Sequence, residues 1–261
     1  MKFSLIVSPN NKKAQSITGE VGRYLKKGKH EVLEKPGKDA DFVITLGGDG
    51  TLLHAACKYA DLDVPFCGIN VGTLGFLTAE EGDNWKAAIE KLIAGKYFVS
   101  ERMMIEASAG DRKLRAVNEV VVKGLYRVVD LEINVSGRKF LEVVGDGLIV
   151  ATQTGSTAYS LSAGGPIVDP DLDSLLLTPI NSIGLPIPSV VLSPSDVVEI
   201  RLKKGDDVSL IADGQEHTRM EVGDIVKVVR AYKRVKFVYF DEHQFVNSLN
   251  AKFGLASRSV R

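Results

Sequence analysis

Leu46-Gly47-Gly48-Asp49-Gly50-Thr51 places one carboxylate inside a run of glycines, directly after the apolar segment Asp41-Phe42-Val43-Ile44-Thr45. The preceding segment reads as a strand and the following one, Thr51 to Tyr59, as a helix. Phosphate chemistry belongs in such a place. Glycine permits positive φ and close approach of the backbone to a ligand, and a helix start offers free N–H groups and a positive dipole end to the same anion. A carboxylate there repels phosphate unless it has a task, such as accepting a proton from an attacking hydroxyl or holding a metal ion. The hexapeptide also fits a tight strand-to-helix turn with an Asp cap. Asp49 is the foremost candidate for catalysis, with Gly47, Gly48, Gly50 and Thr51 as candidates for phosphate binding.

Working outward, residues 1–96 alternate strand-like and helix-like segments. Lys2 to Val7, Phe42 to Leu46 and Pro65 to Ile69 read as strands, and Lys12 to Lys27 as an amphipathic helix. A helix from Asn84 to Ala94 closes the unit, with Asp83 as its N-cap and Gly95 as its stop. This alternation predicts a Rossmann-like α/β domain with a parallel sheet. From Tyr97 the texture changes to short β-branched runs: Ala116 to Val122, Leu131 to Val135, Phe140 to Val144, Leu148 to Thr152, Val197 to Leu202, Val208 to Ala212 and Ile225 to Arg230. Turn residues such as Ser136-Gly137 and Asp213-Gly214 separate them. Residues 97–240 therefore read as an all-β domain of the β-sandwich kind, and 241–261 as a tail that packs back on the first domain or frays. The basic stretch Lys227, Arg230, Lys233, Arg234 and Lys236 reads as the solvated face and end of a strand.

Composition narrows the function classes. The chain has 261 residues and is 44% apolar, enough for a packed core. Lysine plus arginine equals aspartate plus glutamate, 33 to 33, so neither a nucleic-acid partner nor a membrane surface is indicated. Cys57, Cys67 and the four histidines form no ligand set, and no signal-peptide core or membrane span is visible. A cytoplasmic location is expected.

A second cluster, Gly145 to Pro166, is dense in small and hydroxyl residues. Thr154, Ser156, Thr157 and Ser162 can give and accept neutral hydrogen bonds, and Gly155 and Ala158 leave room for a flat group. The segment suits a nucleoside, and it also suits a Ser/Thr-rich connection between strands.

Taken together, these segments resemble the NAD kinase family over most of the chain. Gly47-Gly48-Asp49-Gly50-Thr51 is similar to its GGDGT motif, and Gly68 to Leu77 to its second glycine-rich segment. Glu101-Arg102-Met103-Met104 resembles its inter-domain crossover, Asn118-Glu119 its Asn-Glu pair, and Asp146-Gly147 through Gly164-Gly165-Pro166 its longest motif. The order of all five is more specific than GGDGT, which some lipid kinases and phosphofructokinases share. The resemblance implies phosphoryl transfer from ATP, or polyphosphate in some members, to the 2′-hydroxyl of the adenosine ribose of NAD. The product would be NADP, Asp49 the general base, and Mg²⁺ or another divalent cation the bridge between phosphates, with metal ligands unassigned. It further implies that Asn118 and Glu119 hold ribose and base, that Thr154, Thr157, Ala158 and Ser162 line the dinucleotide pocket, and that Tyr159 and Phe76 stack on rings or serve the core. Asp146 is similar to a position that contacts the dinucleotide across a subunit boundary, which implies a homo-oligomer, dimer or tetramer, with composite sites. Two departures stand out: Gln153 replaces a more usual proline, and Pro179 to Pro186 lacks a histidine and an arginine. The second leaves the choice between NAD and NADH open. There is no P-loop signature.

Overall fold

The computed structural model describes residues 1–72, 75–184 and 186–254. Thr73 and Leu74 of the second glycine-rich segment, Leu185 of the 179–186 loop and residues 255–261 of the tail lie outside the described residues. The chain divides into two compact units, residues 1–101 with 235–261 and residues 102–234.

The first unit opens with β1 (Lys2–Val7), α1 (Lys12–Lys27), β2 (Glu31–Leu33), β3 (Phe42–Gly47) and α2 (Asp49–Tyr59). It continues with β4 (Phe66–Asn70), β5 (Glu80–Glu81) and α3 (Trp85–Ile93). Helix α1 forms because Ala14, Ile17, Val21 and Leu25 recur at helical spacing and are buried. The Asn11 side chain accepts the Ala14 N–H at 3.0 Å to cap it, and Lys26 and Lys27 complement the dipole at its end. The strands pair in parallel in the order β4-β3-β1-β2. The chain steps from β1 outward to β2 and then back past β1 to β3, so the order reverses between β1 and β3. Ligands of open parallel sheets bind at the carboxyl ends of the strands at such a reversal. All six residues of β3 are buried, and its sequence accordingly shows no alternation.

One cap differs from expectation. Asp83 lies within a 3-10 turn, Gly82–Asn84, and α3 begins at Trp85 with Asn84 at its N-cap position. The Asp83 carboxylate instead pairs with Lys13 at 2.9 Å. Gly95, with φ of 69°, does end the helical segment.

The second unit is built from β6 (Phe98–Ala109), β7 (Arg112–Ala116), β8 (Glu119–Gly124), β9 (Val129–Val135), β10 (Arg138–Gly145) and β11 (Gly147–Thr152). After α4 (Tyr159–Ser162) come β12 (Leu175–Ile180), β13 (Val190–Leu192), β14 (Val198–Lys204), β15 (Val208–Ala212), β16 (Glu216–Met220) and β17 (Ile225–Tyr239), and the described chain closes with α5 (Gln244–Phe253). One sheet runs β13-β12-β11-β8-β15-β16, and a second carries β10-β9-β14-β17, with the β6–β7 hairpin beside β17. Val120, Val122, Leu148, Val150, Leu175 and Leu177 of the first meet Leu131, Ile133, Ile200, Val226 and Val228 of the second in one core, which is the packing of a β-sandwich. The outer face of the first sheet is covered as well. Val121, Ile149, Ala151 and Leu176 lie there against Tyr159, Ala163 and Val168. Strands buried on both faces read as unbroken apolar runs, as Leu148 to Ala151 does.

Strand β17 runs nine residues past its expected end at Arg230 and enters the first unit, where Phe237 stands opposite Phe66 in a parallel pairing with β4. Helix α5 also belongs to the first unit. No helix among the described residues is long and apolar enough to cross a membrane.

Candidate active site

Asp49 is the first residue of α2, just beyond the carboxyl end of β3. Its half-buried carboxylate reaches residues 76–78: Oδ2 accepts the Phe76 N–H at 2.7 Å, and Oδ1 accepts the N–H groups of Leu77 and Thr78, each at 3.2 Å. A carboxylate offers about four acceptor positions. Three amides leave Oδ2 with one, so the group is fixed in place and still able to take a proton.

The glycines around it act by lacking a Cβ rather than by handedness. None of Gly47, Gly48, Gly50 and Gly75 has positive φ, and Gly48 sits at φ −94°, ψ −174°. The expected use of left-handed backbone in the Gly47 to Gly50 turn is therefore corrected. A Cβ on Gly75 would strike the Asp49 carboxylate, 2.6 Å from Cγ and 2.7 Å from Oδ2. A Cβ on Gly47 would lie 2.9 Å from Thr51 Cβ and 3.2 Å from Ser8 Cβ. This contact joins the ends of β3 and β1, where the strand order reverses. Gly48 and Gly50 face open space within 4 Å, so the four phosphate candidates divide into a packed pair, Gly47 and Thr51, and an open pair, Gly48 and Gly50. The Phe76 ring is covered by α5: Lys252 Nζ lies 4.0 Å from its centroid and the Phe253 ring 6.2 Å away.

In the second unit the break between β7 and β8 brings Asn118 and Glu119 against the Thr154–Thr157 turn. Gly155 permits this, since its Cβ would lie 2.6 Å from the Asn118 carbonyl carbon and 2.9 Å from its Cα. Thr152 ties the two together: its Oγ1 donates to the Val117 carbonyl at 2.6 Å and accepts the Gly155 N–H at 3.2 Å. Three buried oxygens, Asn118 Oδ1, Glu119 Oε2 and Thr154 Oγ1, have no hydrogen-bond partner in the structure. Orphaned buried polar atoms are costly, which marks this corner of the β unit as a candidate ligand site. Burial pushes the Glu119 carboxyl up to about 8, the nearby Asp213 charge adds to this, and a bond from the Tyr159 N–H opposes it.

The other expected nucleoside residues separate. Thr157 and Ala158 are partly exposed within the same turn, and Ser162 is exposed, while nearby Ser160 is buried and bonded to Thr178 at 2.9 Å. The Tyr159 side chain packs on the outer-face apolar cluster. Asp146 lies at the far end of β11, where Gly147 pairs with Lys123, whereas Ala151 pairs with Glu119. At ~3.3 Å per residue the five steps from Asp146 to Ala151 span about 17 Å within one chain. Asp146 instead accepts from the Asn181 side chain at 2.8 Å. Sequence reasoning read Asp213 only as a turn residue and assigned no role to Asp173. Asp213 carries a legible signal, the Asp-Gly turn. Asp173 has none, because its partners Gln153 and Arg234 lie 20 and 61 residues away.

A carboxylate fixed on a glycine turn at a strand-order reversal, with no P-loop, and a β-sandwich turn bearing unmet polar oxygens fit the class of nucleotide-dependent phosphotransferases. Residues 2–97 match the family model of the ATP-NAD kinase N-terminal domain, and residues 117–240 that of the ATP-NAD kinase C-terminal domain. The chain belongs to the NAD kinase family. The NAD kinase of Geobacter metallireducens is 42% identical to it over 84% of this chain and 80% of its own length. That of Fusobacterium nucleatum is 36% identical over 97% of both. The crystal structure of an NAD kinase from Archaeoglobus fulgidus in complex with ATP matches with TM-score 0.79 at 28% identity, covering 95% of this chain and 96% of that one. Yeast NADH kinase complexed with NADH shares the fold, with TM-score 0.89 at 23% identity over 100% of this chain and 89% of that one.

Proposed function

We infer that the protein is an NAD kinase that transfers a phosphoryl group from ATP to NAD, with Asp49 as general base at the adenosine-ribose 2′-hydroxyl. Family membership supports the reaction. The role of Asp49 rests on one observation, a carboxylate immobilised by three amides with one acceptor position left on Oδ2. In this reading the 2′-oxygen attacks the γ-phosphorus, its proton passes to Oδ2, and ADP leaves with the bridging electrons. Base catalysis requires the hydroxyl within about 2.6–3.2 Å of Oδ2. Such transfer needs little more from a protein than positioning and charge stabilisation.

Gly48 and Gly50 leave room for phosphate oxygens beside the start of α2. Asn118, Glu119 and Thr154 supply unmet groups for the dinucleotide. The described residues contain no cluster of three potential metal ligands; Mg²⁺ bound here would take most of its ligands from substrate phosphates and water. Polyphosphate remains a second donor to assay, and NADH a second acceptor. The distance of Asp146 from Asn118 and Glu119 within one chain supports a homo-oligomer in which Asp146 serves a neighbour's dinucleotide. A cytoplasmic site of action is consistent with these substrates.

The test is NADP formation from NAD and Mg-ATP, read with an NADP-specific dehydrogenase. Asp49→Asn is expected to lower kcat roughly 10²–10⁴-fold, the usual contribution of a positioned base, with NAD affinity by calorimetry within a few-fold of wild type. Retained turnover would refute the assignment of Asp49.

A further inference from the structure

We propose that Asp213, on the turn between β15 and β16, is a positioning residue for the dinucleotide site and acts by holding Asn118 and Glu119 from the side opposite Thr152. The proposal rests on the reading of Asn118 and Glu119 as dinucleotide-binding residues. The segment 117–119 lies at the break between two strands, so its backbone groups need partners outside a regular ladder. One carboxylate supplies them. Asp213 Oδ2 accepts the Val117 N–H at 2.8 Å, and Oδ1 accepts those of Asn118 at 2.8 Å and Glu119 at 3.0 Å. The Asp213 N–H returns a bond to the Glu119 carbonyl at 3.0 Å, and the Asn118 carbonyl accepts from Thr152 N–H at 2.8 Å on the β11 side. The backbone is thus pinned on both sides, while Asn118 Oδ1 and Glu119 Oε2 stay unpaired.

The turn is built for this residue. Asp213 and Gly214 have φ of 46° and 67°, and Gln215 N–H closes on the Ala212 carbonyl at 2.9 Å. This is a type I′ arrangement, which selects Asn, Asp or Gly at its first central position. Of those three only Asp brings two acceptor oxygens.

Asp213 also influences charge at the site. Its negative charge raises the Glu119 carboxyl, secondary to burial and opposed by the Tyr159 N–H. Burial raises Asp213 itself, the three amides lower it, and Glu216 on β16 raises it further. Glu119 therefore carries its proton to about pH 8, where Oε2 can donate to a ligand and does not repel the dinucleotide phosphates.

The experiment compares wild type, Asp213→Asn, Asp213→Gly and Glu119→Gln. Asp213→Asn keeps the turn and one acceptor, and Asp213→Gly keeps the turn and removes every acceptor. Both are expected to raise KM for NAD tenfold or more, Asp213→Gly the more strongly, with KM for ATP within about twofold. The alkaline limb of kcat/KM for NAD is expected to move to lower pH in Asp213→Asn, since a charge that holds the Glu119 proton is gone, and to vanish in Glu119→Gln. Unchanged KM and pH profile would overturn the proposal. Equal losses for both substrates accompanied by a fall in Tm would overturn it too, as they mark a purely structural role. Calorimetry separates this from the assigned reaction: wild type that binds NAD without turnover refutes the kinase reading alone, and the Asp213 variants must then still bind NAD at least tenfold more weakly.

Discussion

Asp49 and Asp213 are held by the same device, a carboxylate that gathers three consecutive backbone N–H groups from a distant segment. At Asp49 the device depends on a missing methyl. Gly75→Ala should displace the carboxylate while leaving it chemically intact, and misplacement of about 1 Å costs roughly 10²-fold; NADP formation is expected to fall by at least that factor, with ATP affinity retained. This variant complements Asp49→Asn, whose amide would face the Phe76 N–H with a donor. A second prediction concerns Glu119. Burial holds its carboxyl near 8, above the ordinary 4.5, so the folded state binds a proton that the unfolded state has released. Folding stability from this group is complete below about pH 4.5 and is lost as pH rises toward 8, by roughly a few kcal/mol. Glu119→Gln, always neutral, should match wild type in Tm near pH 5 and exceed it at pH 9; an equal Tm at both would contradict the buried-acid account.

At the scale of elements, β17 shows where a strand pattern fails. Its buried residues are even-numbered through Val226 and Val228 and odd-numbered from Ala231 through Val235 and Phe237, so no single period of two spans it. The sequence pattern stops at Arg230 because that is where the parity slips. The basic residues there are not merely a solvated face. Arg234 grips Asp173 through two nitrogens at 2.6 and 3.0 Å, Arg230 approaches the same carboxylate at 3.6 Å, and Gln153 Nε2 donates to it at 3.0 Å. The Arg234 contact holds the Asp173 carboxyl below the ordinary carboxylate range. Arg234→Ala should cost about 1–2 kcal/mol in denaturant unfolding at pH 7. The difference is expected to shrink as acid protonates Asp173, and its persistence at pH 2 would argue against the ion pair. Strand β12 was illegible for another reason. Pro179 sits inside it, tolerated because β13 pairs only with Leu175 to Leu177. Helix α1, by contrast, was legible to its ends, because spacing, cap and flanking charge agree.

At the scale of the whole molecule, the composite-site reading makes a prediction about mixing. Asp146→Ala and Asp49→Asn chains should each be nearly inactive. If Asp146 serves a neighbour's site, random re-association of the two as a dimer restores about a quarter of wild-type activity, since a mixed pair has one site with both residues intact. No recovery would place Asp146 and Asp49 in the same chain's site or remove Asp146 from it. The sequence alone determined the α/β unit followed by a β-sandwich, the glycine turn with its single acid, the Asn-Glu pair and the family, because hydrophobic period, turn chemistry and ordered motifs are all local in the chain. Only the tertiary structure decided how those residues are held. The bonds that fix Asp49 span 27 to 29 residues and those that fix Asn118 and Glu119 span 94 to 96, and hydrogen bonds between such distant segments exist only once the fold has brought them together.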